Sequence, residues 1–258
     1  MIKKLSDVLT VVSSAKASGH DHSDQIAFIA SRCGMALDGH GCRVGVMAAI
    51  IGDAIPDITQ EDALMAGQMH DIGKLLIPST VLDHNGPLSE TQKAIMQGHP
   101  EYGHSILTAT IGLPSRHVIN DACLYHHERW AGAGYPHIMS GENIPMIARI
   151  VTIADIIDAL VSERSYKPGW EWPRVIDLIK KEAGKALDPR LVGITMDRID
   201  EIITARADEK SRQKTIMELS ARVAEATQFH HPIPTASHLA MPPKEPRPYM
   251  AARKSPQG

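Results

Sequence analysis

Asp155 lies in the middle of the most apolar stretch of the chain, Ile147–Leu160, and that placement constrains the fold more than any other feature. A carboxylate taken into a core is costly unless partners or a cation meet it. Asp158, three residues on, faces the same way along a helix. The chain must therefore fold so that other polar groups converge on this helix. Candidates are at hand in His40, His70, Asp71, His99, His126 and His127, most of them beside Gly or Pro or at the ends of apolar runs. Imidazole and carboxylate together make a donor set for a hard or borderline divalent metal. The pair His70-Asp71 closes a helix-like run from Ala63 to Met69, and adjacent helical residues point about 100° apart. Such a pair can serve one cluster from two sides. The dipeptide alone says little, since His20-Asp21 recurs in a polar stretch without that context.

Nearly everything up to Ala226 reads as helix, and strand signals are sparse. Ala27–Leu37 and Arg43–Ile51 are apolar at helical spacing on either side of an Asp38-Gly39 break. Thr59 with Asp62, and Ser89 with Gln92, fit capping boxes. Asp188-Pro189 is an N-cap followed by proline at the first helical position. His99 before Pro100 is expected at a helix start. The fold class is all-α, a helical bundle. Residues 1–35 are expected to be a helical extension, too short for a receiver domain; 36–206 the main domain; 207–227 a C-terminal helix. Residues 228–258 hold 7 of the 17 prolines and are expected to be a disordered tail.

A hydrophobic fraction of 43% in 258 residues suits one domain of comfortable size. The net charge of −3 argues against a nucleic-acid polymer as partner. Three cysteines (Cys33, Cys42, Cys123) without CxxC spacing argue against a disulfide framework, so they are read as core residues in a reducing compartment. No apolar run approaches the roughly 18 residues of a membrane helix. The expectation is a cytoplasmic protein with no membrane contact; homo-oligomerisation stays open.

An ordered series of motifs carries a resemblance. It runs through His40 with Arg43; His70-Asp71 to Lys74; His99-Pro100 with Gly103; His126-His127-Glu128; and Gly132, Gly134, Tyr135 and Pro136. It continues through Ala148-Arg149-Ile150, Asp155, Asp158, Arg164, Tyr166, Lys167 and Asp188-Pro189. Over about residues 36–200 the chain resembles the HD-GYP phosphodiesterases, a branch of the HD superfamily of metal-dependent phosphohydrolases. The resemblance implies an HD-type helical bundle with a dinuclear metal site. It implies that cyclic di-GMP is hydrolysed to pGpG, and it leaves open whether GMP follows.

By the same resemblance, His40, His70 and Asp155 hold one divalent ion and His99, His126 and His127 the second, with Asp71 bridging. Iron or manganese is the family's usual metal, in keeping with N/O ligands. A metal pair can clamp the attacking and leaving oxygens of an in-line displacement at phosphorus. Asp71 and Lys74 are the implied catalytic residues; Lys74, Asp158, Arg164 and Lys167 are the implied substrate contacts, arginine through its bidentate fork. Gly132, Gly134, Tyr135 and Pro136 form the signature loop, which in the family meets partners, notably a diguanylate cyclase (GGDEF) domain.

Two positions depart from the family pattern. Ala131 stands where the loop usually opens with Asp, which puts loop order and turnover in question. Ala36 stands where some members carry a Glu that supports a third metal, so a two-metal site is expected. Two rival readings remain: a module that binds cyclic dinucleotide or docks on a cyclase with little turnover, and an HD phosphohydrolase for another cyclic dinucleotide.

Overall fold

A computed structural model describes residues 5–17, 25, 29–30, 33, 39–163 and 168–207. Ala36, Arg164, Tyr166, Lys167, most of Ala27–Leu37, residues 208–227 of the expected C-terminal helix and the tail 228–258 lie outside the described residues.

The described chain is helical, as its periodicity requires. In order come α1 (Leu5–Ala17), α2 (His40–Gly52), α3 (Gln60–Met69), α4 (Ser79–Leu82), α5 (Glu90–Met96) and α6 (His99–Ile106). Then follow α7 (Val118–Tyr125), α8 (Met146–Val161), α9 (Trp172–Glu182), α10 (Pro189–Asp197) and α11 (Ile199–Ala207). A 3₁₀ turn at Ile72–Leu76 follows α3, and a π-helical turn at Leu107–Ile111 extends α6. No strand occurs among the described residues, only an isolated bridge between Ala183 and Leu187. None of the described helices is long and apolar enough to cross a membrane.

Local chemistry sets the helix starts. Ser89 and Gln92 form a full capping box at α5, each side chain accepting from the other's backbone N–H. At α3 the expected box is closed differently. Thr59 accepts from the Asp62 N–H at 3.0 Å, but the Asp62 carboxylate accepts from the Thr59 hydroxyl at 2.8 Å. A free hydroxyl hydrogen three residues back offers that carboxylate a nearer donor. At α10, Asp188 accepts from the Arg190 N–H and Pro189 opens the helix.

Two apolar clusters form the core. One gathers Val44, Met47 and Ile51 of α2, Ile150, Ile153 and Ile157 of α8, Val175 and Ile179 of α9, Leu191 of α10 and Ile202 of α11. The other joins Val8 and Val12 of α1 to Ile106, Leu107 and Ile111. Helices α3 and α7 contribute to both: Ala63, Ala66 and Ala122 to the first, Met65, Met69, Ile119 and Cys123 to the second. Their C-terminal ends carry His70 and His126. The three cysteines are buried, as expected of core residues.

The α2–α3 crossing brings His40 to His70, with ring centroids 5.2 Å apart. It depends on Gly45 and Gly67. A Cβ on Gly67 would stand 2.5 Å from the Gly45 Cα, and one on Gly45 would stand 2.6 Å from the Leu64 carbonyl oxygen. Both obstacles are backbone, which cannot swing aside. Gly67→Ala is therefore expected to force the helices apart and cost about 1–3 kcal/mol, the range for overpacking. Urea unfolding checks this; an unchanged midpoint would refute the close crossing.

Candidate metal centre

Helix termini deliver six of the seven expected ligands. His40 is the first residue of α2, after Gly39 in the left-handed region at φ 73°. His70 caps α3, and Asp71, at φ −99° and ψ 9°, turns the chain into the 3₁₀ segment. His99 opens α6 with Pro100 behind it, and His126 caps α7 with His127 next. Asp155 alone sits mid-helix, in α8, whose residues are buried nearly all round.

The fold brings all seven together. Donor atoms of His40, His70 and Asp155 lie within 4.8 Å of one another, as do those of Asp71, His99, His126 and His127. Asp71 stands between the groups. Its Oδ2 is 3.4 Å from His70 Nε2 and 3.7 Å from His40 Nε2. Its Oδ1 is 3.2 Å from His99 Nε2 and 3.7 Å from His126 Nε2.

Carbonyl acceptors fix three ring tautomers. His70 Nδ1 donates to Gly67 O at 2.7 Å, His99 Nδ1 to Met96 O at 2.8 Å, and His126 Nδ1 to Cys123 O at 3.0 Å. With the proton on Nδ1, each Nε2 presents a lone pair inward. His99 Nε2 and His126 Nε2 then face each other at 3.3 Å. His70 Nε2 and Asp71 Oδ1 are buried with no hydrogen-bond partner. Buried acceptors aimed at one another are unfavourable unless a cation joins them. The residues therefore fit metal ions, by donor type and by orphaned atoms alike.

The electrostatics favour neutral imidazoles and an ionised carboxylate. Burial holds His126 down to about 4 and His127 well below the usual imidazole value. Burial pushes the Asp71 carboxyl up, but the Lys74 ammonium beside it outweighs this and keeps it well below the carboxylate range. His40 differs. Burial disfavours its charge, yet bonds to Asp155 and Asp158 raise it to about 9. Burial also raises the Cys123 thiol, so this neighbour stays protonated and outside the donor set.

The other expected residues fall in varied places. Lys74 sets its ammonium on Asp71 Oδ2 and is partly exposed. Asp158, expected to touch substrate, does not reach the site opening. It is 1% exposed and accepts from His40 Nδ1 (2.8 Å), Arg43 Nε (2.9 Å), Arg43 Nη2 (3.0 Å) and Arg206 Nε (3.1 Å). Four donors saturate a carboxylate, so Asp158 is a residue that orients His40. Its i+3 spacing from Asp155 gave the correct face, but polarity alone could not tell a ligand's support from a substrate contact.

The signature loop packs directly on the ligands. Tyr135 stacks on His127 with centroids 4.6 Å apart and planes at 21°. Gly134 allows this approach, since a Cβ there would lie 2.5 Å from Glu128 Cα and 2.6 Å from the His127 carbonyl oxygen. Gly132 adopts φ 88°, and Pro136 follows Tyr135. Glu128, buried at 2% exposure, accepts from the N–H groups of His137 (2.7 Å) and Met139 (2.9 Å). Its place beside His126-His127 was visible in the sequence; its role as the loop's anchor was not. Ala131 is exposed and donates its N–H to Lys185 O at 2.7 Å.

Comparison with known proteins accords with this geometry. The chain is 38% identical over 142 residues to 3'3'-cGAMP-specific phosphodiesterase 2 of Vibrio cholerae, covering 55% of this chain and 27% of the relative. It is 41% identical over 130 residues to the cyclic di-GMP phosphodiesterase response regulator RpfG of Xanthomonas campestris, covering 50% and 34%. Over 173 residues it is 32% identical to a cyclic di-GMP phosphodiesterase of Thermotoga maritima, covering 66% and 47%. The chain thus spans about a quarter to a half of the length of these relatives. The crystal structure of a V. cholerae cyclic GMP-AMP phosphodiesterase, V-cGAP3, shares the fold, with a TM-score of 0.54 at 16% identity over 81% of this chain and 61% of that one. The sequence model of the HD domain matches residues 25–191, and the chain belongs to the HD domain family.

Proposed function

We propose that this chain is a metal-dependent phosphodiesterase that opens a cyclic dinucleotide, cyclic di-GMP foremost, to linear pGpG. The observation that carries the reading is the pair of donor groups that meet at Asp71, with His70 Nε2 and Asp71 Oδ1 buried and unpartnered. His40, His70 and Asp155 would hold one ion and His99, His126 and His127 the other, with Asp71 serving both. Two bound divalent ions would supply Lewis acidity toward the phosphate and activation of water. Iron or manganese suits the nitrogen and oxygen donors.

The chain's own residues do the rest. Carbonyl and carboxylate partners on Nδ1 hold the rings of His40, His70, His99 and His126 so that Nε2 points inward. The Lys74 ammonium, beside Asp71, adds positive charge where phosphoryl oxygens gather charge during cleavage. Arg164 and Lys167 are proposed to grip the second phosphate. The relatives' names divide between cyclic di-GMP and 3'3'-cGAMP, and these substrates share the diester linkage the site would attack. Docking of a diguanylate cyclase domain at this loop is proposed on the family resemblance alone.

The test is to load the protein anaerobically with iron(II) or manganese(II), add cyclic di-GMP or 3'3'-cGAMP, and quantify nucleotides by chromatography. Linear dinucleotide is expected, with turnover lowered more than about 100-fold in Asp71→Ala, beyond the range for losing an outer partner. Full turnover in Asp71→Ala would overturn the assignment. Binding of cyclic dinucleotide by the metal-loaded protein without product would replace the enzyme with a binding module. Glu128→Gln is expected to leave one loop N–H facing an amide NH₂, at a cost of about 1–3 kcal/mol. Hydrogen exchange at the His137 and Met139 amides should speed up; unchanged protection would remove Glu128 as the anchor.

A further inference from the structure

We infer that Arg206, on α11, is a positioning residue for the His40–His70–Asp155 group and acts through Asp158. The inference rests on the metal reading of the two donor groups and adds to it the element that tunes one of them.

The histidines are anchored asymmetrically. His70, His99 and His126 each anchor Nδ1 on a backbone carbonyl three residues earlier in the chain. Those anchors come with the helix or turn that carries the ring. His40 follows the left-handed Gly39, and its Nδ1 faces a carboxylate from another helix, Asp158 Oδ2 at 2.8 Å. Its Nε2 is thereby aimed at Asp155 Oδ1, 3.1 Å away, and toward Asp71 Oδ2 at 3.7 Å. The orientation of His40 is therefore only as fixed as the Asp158 carboxylate.

Two guanidinium groups fix that carboxylate. Arg43, one turn along α2 from His40, spans both oxygens at 2.9 and 3.0 Å. Arg206 reaches Oδ1 with Nε at 3.1 Å, while its Nη2 donates to Ser162 Oγ at 2.9 Å, just past the end of α8. The Arg206 fork thus ties the carboxylate plane to α8 and α11 at once. Arg43, on the same helix as His40, ties α2 to α8 through this carboxylate. Arg206 braces its Oδ1 from a third element, α11, and secures its own position on Ser162 at the end of α8. The partners of a ligating histidine fix its tautomer and ring direction, and losing one typically lowers metal affinity by about 10–100-fold. Since Arg206 lies 48 residues beyond Asp158 in the chain, the His40–His70–Asp155 group is coupled to an element that contributes no donor to either group.

The experiment is a manganese(II) titration of the full chain by calorimetry, for wild type, Arg206→Met, Arg206→Lys and His70→Ala, with melting of each metal-free protein alongside. In Arg206→Met, one of two manganese equivalents should weaken by up to about 10-fold, the low end for losing an outer partner because Asp158 and Arg43 remain, while the other keeps its wild-type affinity. Arg206→Lys should fall between, because one ammonium cannot reproduce the two-pronged contact with Asp158 and Ser162. Wild-type binding of both equivalents in a folded Arg206→Met would overturn the inference. Equal loss of both, with a lowered melting temperature, would make Arg206 a general structural residue and also overturn it. If Arg206→Met fails to fold, Arg206→Lys decides by the same criteria. His70→Ala separates the two levels. If it still binds two equivalents, the metal reading itself fails; if it loses one while Arg206→Met loses none, only the positioning role does.

Discussion

Asp71 is a buried carboxylate surrounded by electron-pair donors, and the rest of the described bundle is arranged around that awkward fact. Four imidazole nitrogens stand within 3.7 Å of its two oxygens, with Lys74 on one of them. Three of those nitrogens are held as acceptors by the carbonyls behind their rings. Acceptors facing acceptors in a low-dielectric setting repel, so the packing must hold together what electrostatics would separate. The α2–α3 contact at Gly45 and Gly67, and the loop laid on His127 through Gly134, supply that constraint with backbone against backbone. Backbone contacts yield less than side chains do. The packing thus holds the donor groups together, as coordination of an ion between them would require.

The supporting partners are of two kinds. Local ones come with the ligand's own segment: Gly67 for His70, Met96 for His99, Cys123 for His126. Distant ones tie separate elements: Asp158 from α8 for His40, Thr152 for the His126 carbonyl at 2.7 Å, Glu128 for the loop. The local kind secures ring direction. The distant kind secures the position of one element against another, and it is there that sequence change far from the site would reach the donor groups.

The same division explains what the sequence made legible. The histidines that cluster could be found because each sits at a helix terminus, where capping residues, glycine or proline mark the boundary, and because Asp155 stands out against an apolar helix. The all-α architecture followed from periodicity. The misread role of Asp158 has a plain cause: saturation by His40, Arg43 and Arg206 is a property of three elements meeting, and Arg206 carries no local sign of that meeting. Glu128 was in view within the His-His-Glu run, but its two acceptor bonds go to residues 9 and 11 positions on, across a loop whose path no pattern gives. The Thr59–Asp62 cap shows the same limit at small scale, since the box spacing was present but the carboxylate took the hydroxyl hydrogen.

Ala131 can be weighed on this footing. An aspartate at the loop's start would add acceptors at an exposed position, yet the loop already has an internal frame. Trp130 and Ala131 donate their N–H groups to Ala186 and Lys185, Gly141 returns a bond to Trp130 O, and Glu128 holds the far side. Each of these bonds involves backbone and is indifferent to the residue type at 131. An exposed acceptor also gains little over water. The departure from the family pattern therefore falls on the rim of the loop, where a partner or substrate would meet it. It does not fall on the contacts that place Tyr135 against His127. What changes at Ala131 is the charge presented to an incoming anion or protein, and the donor groups beneath are left as they are.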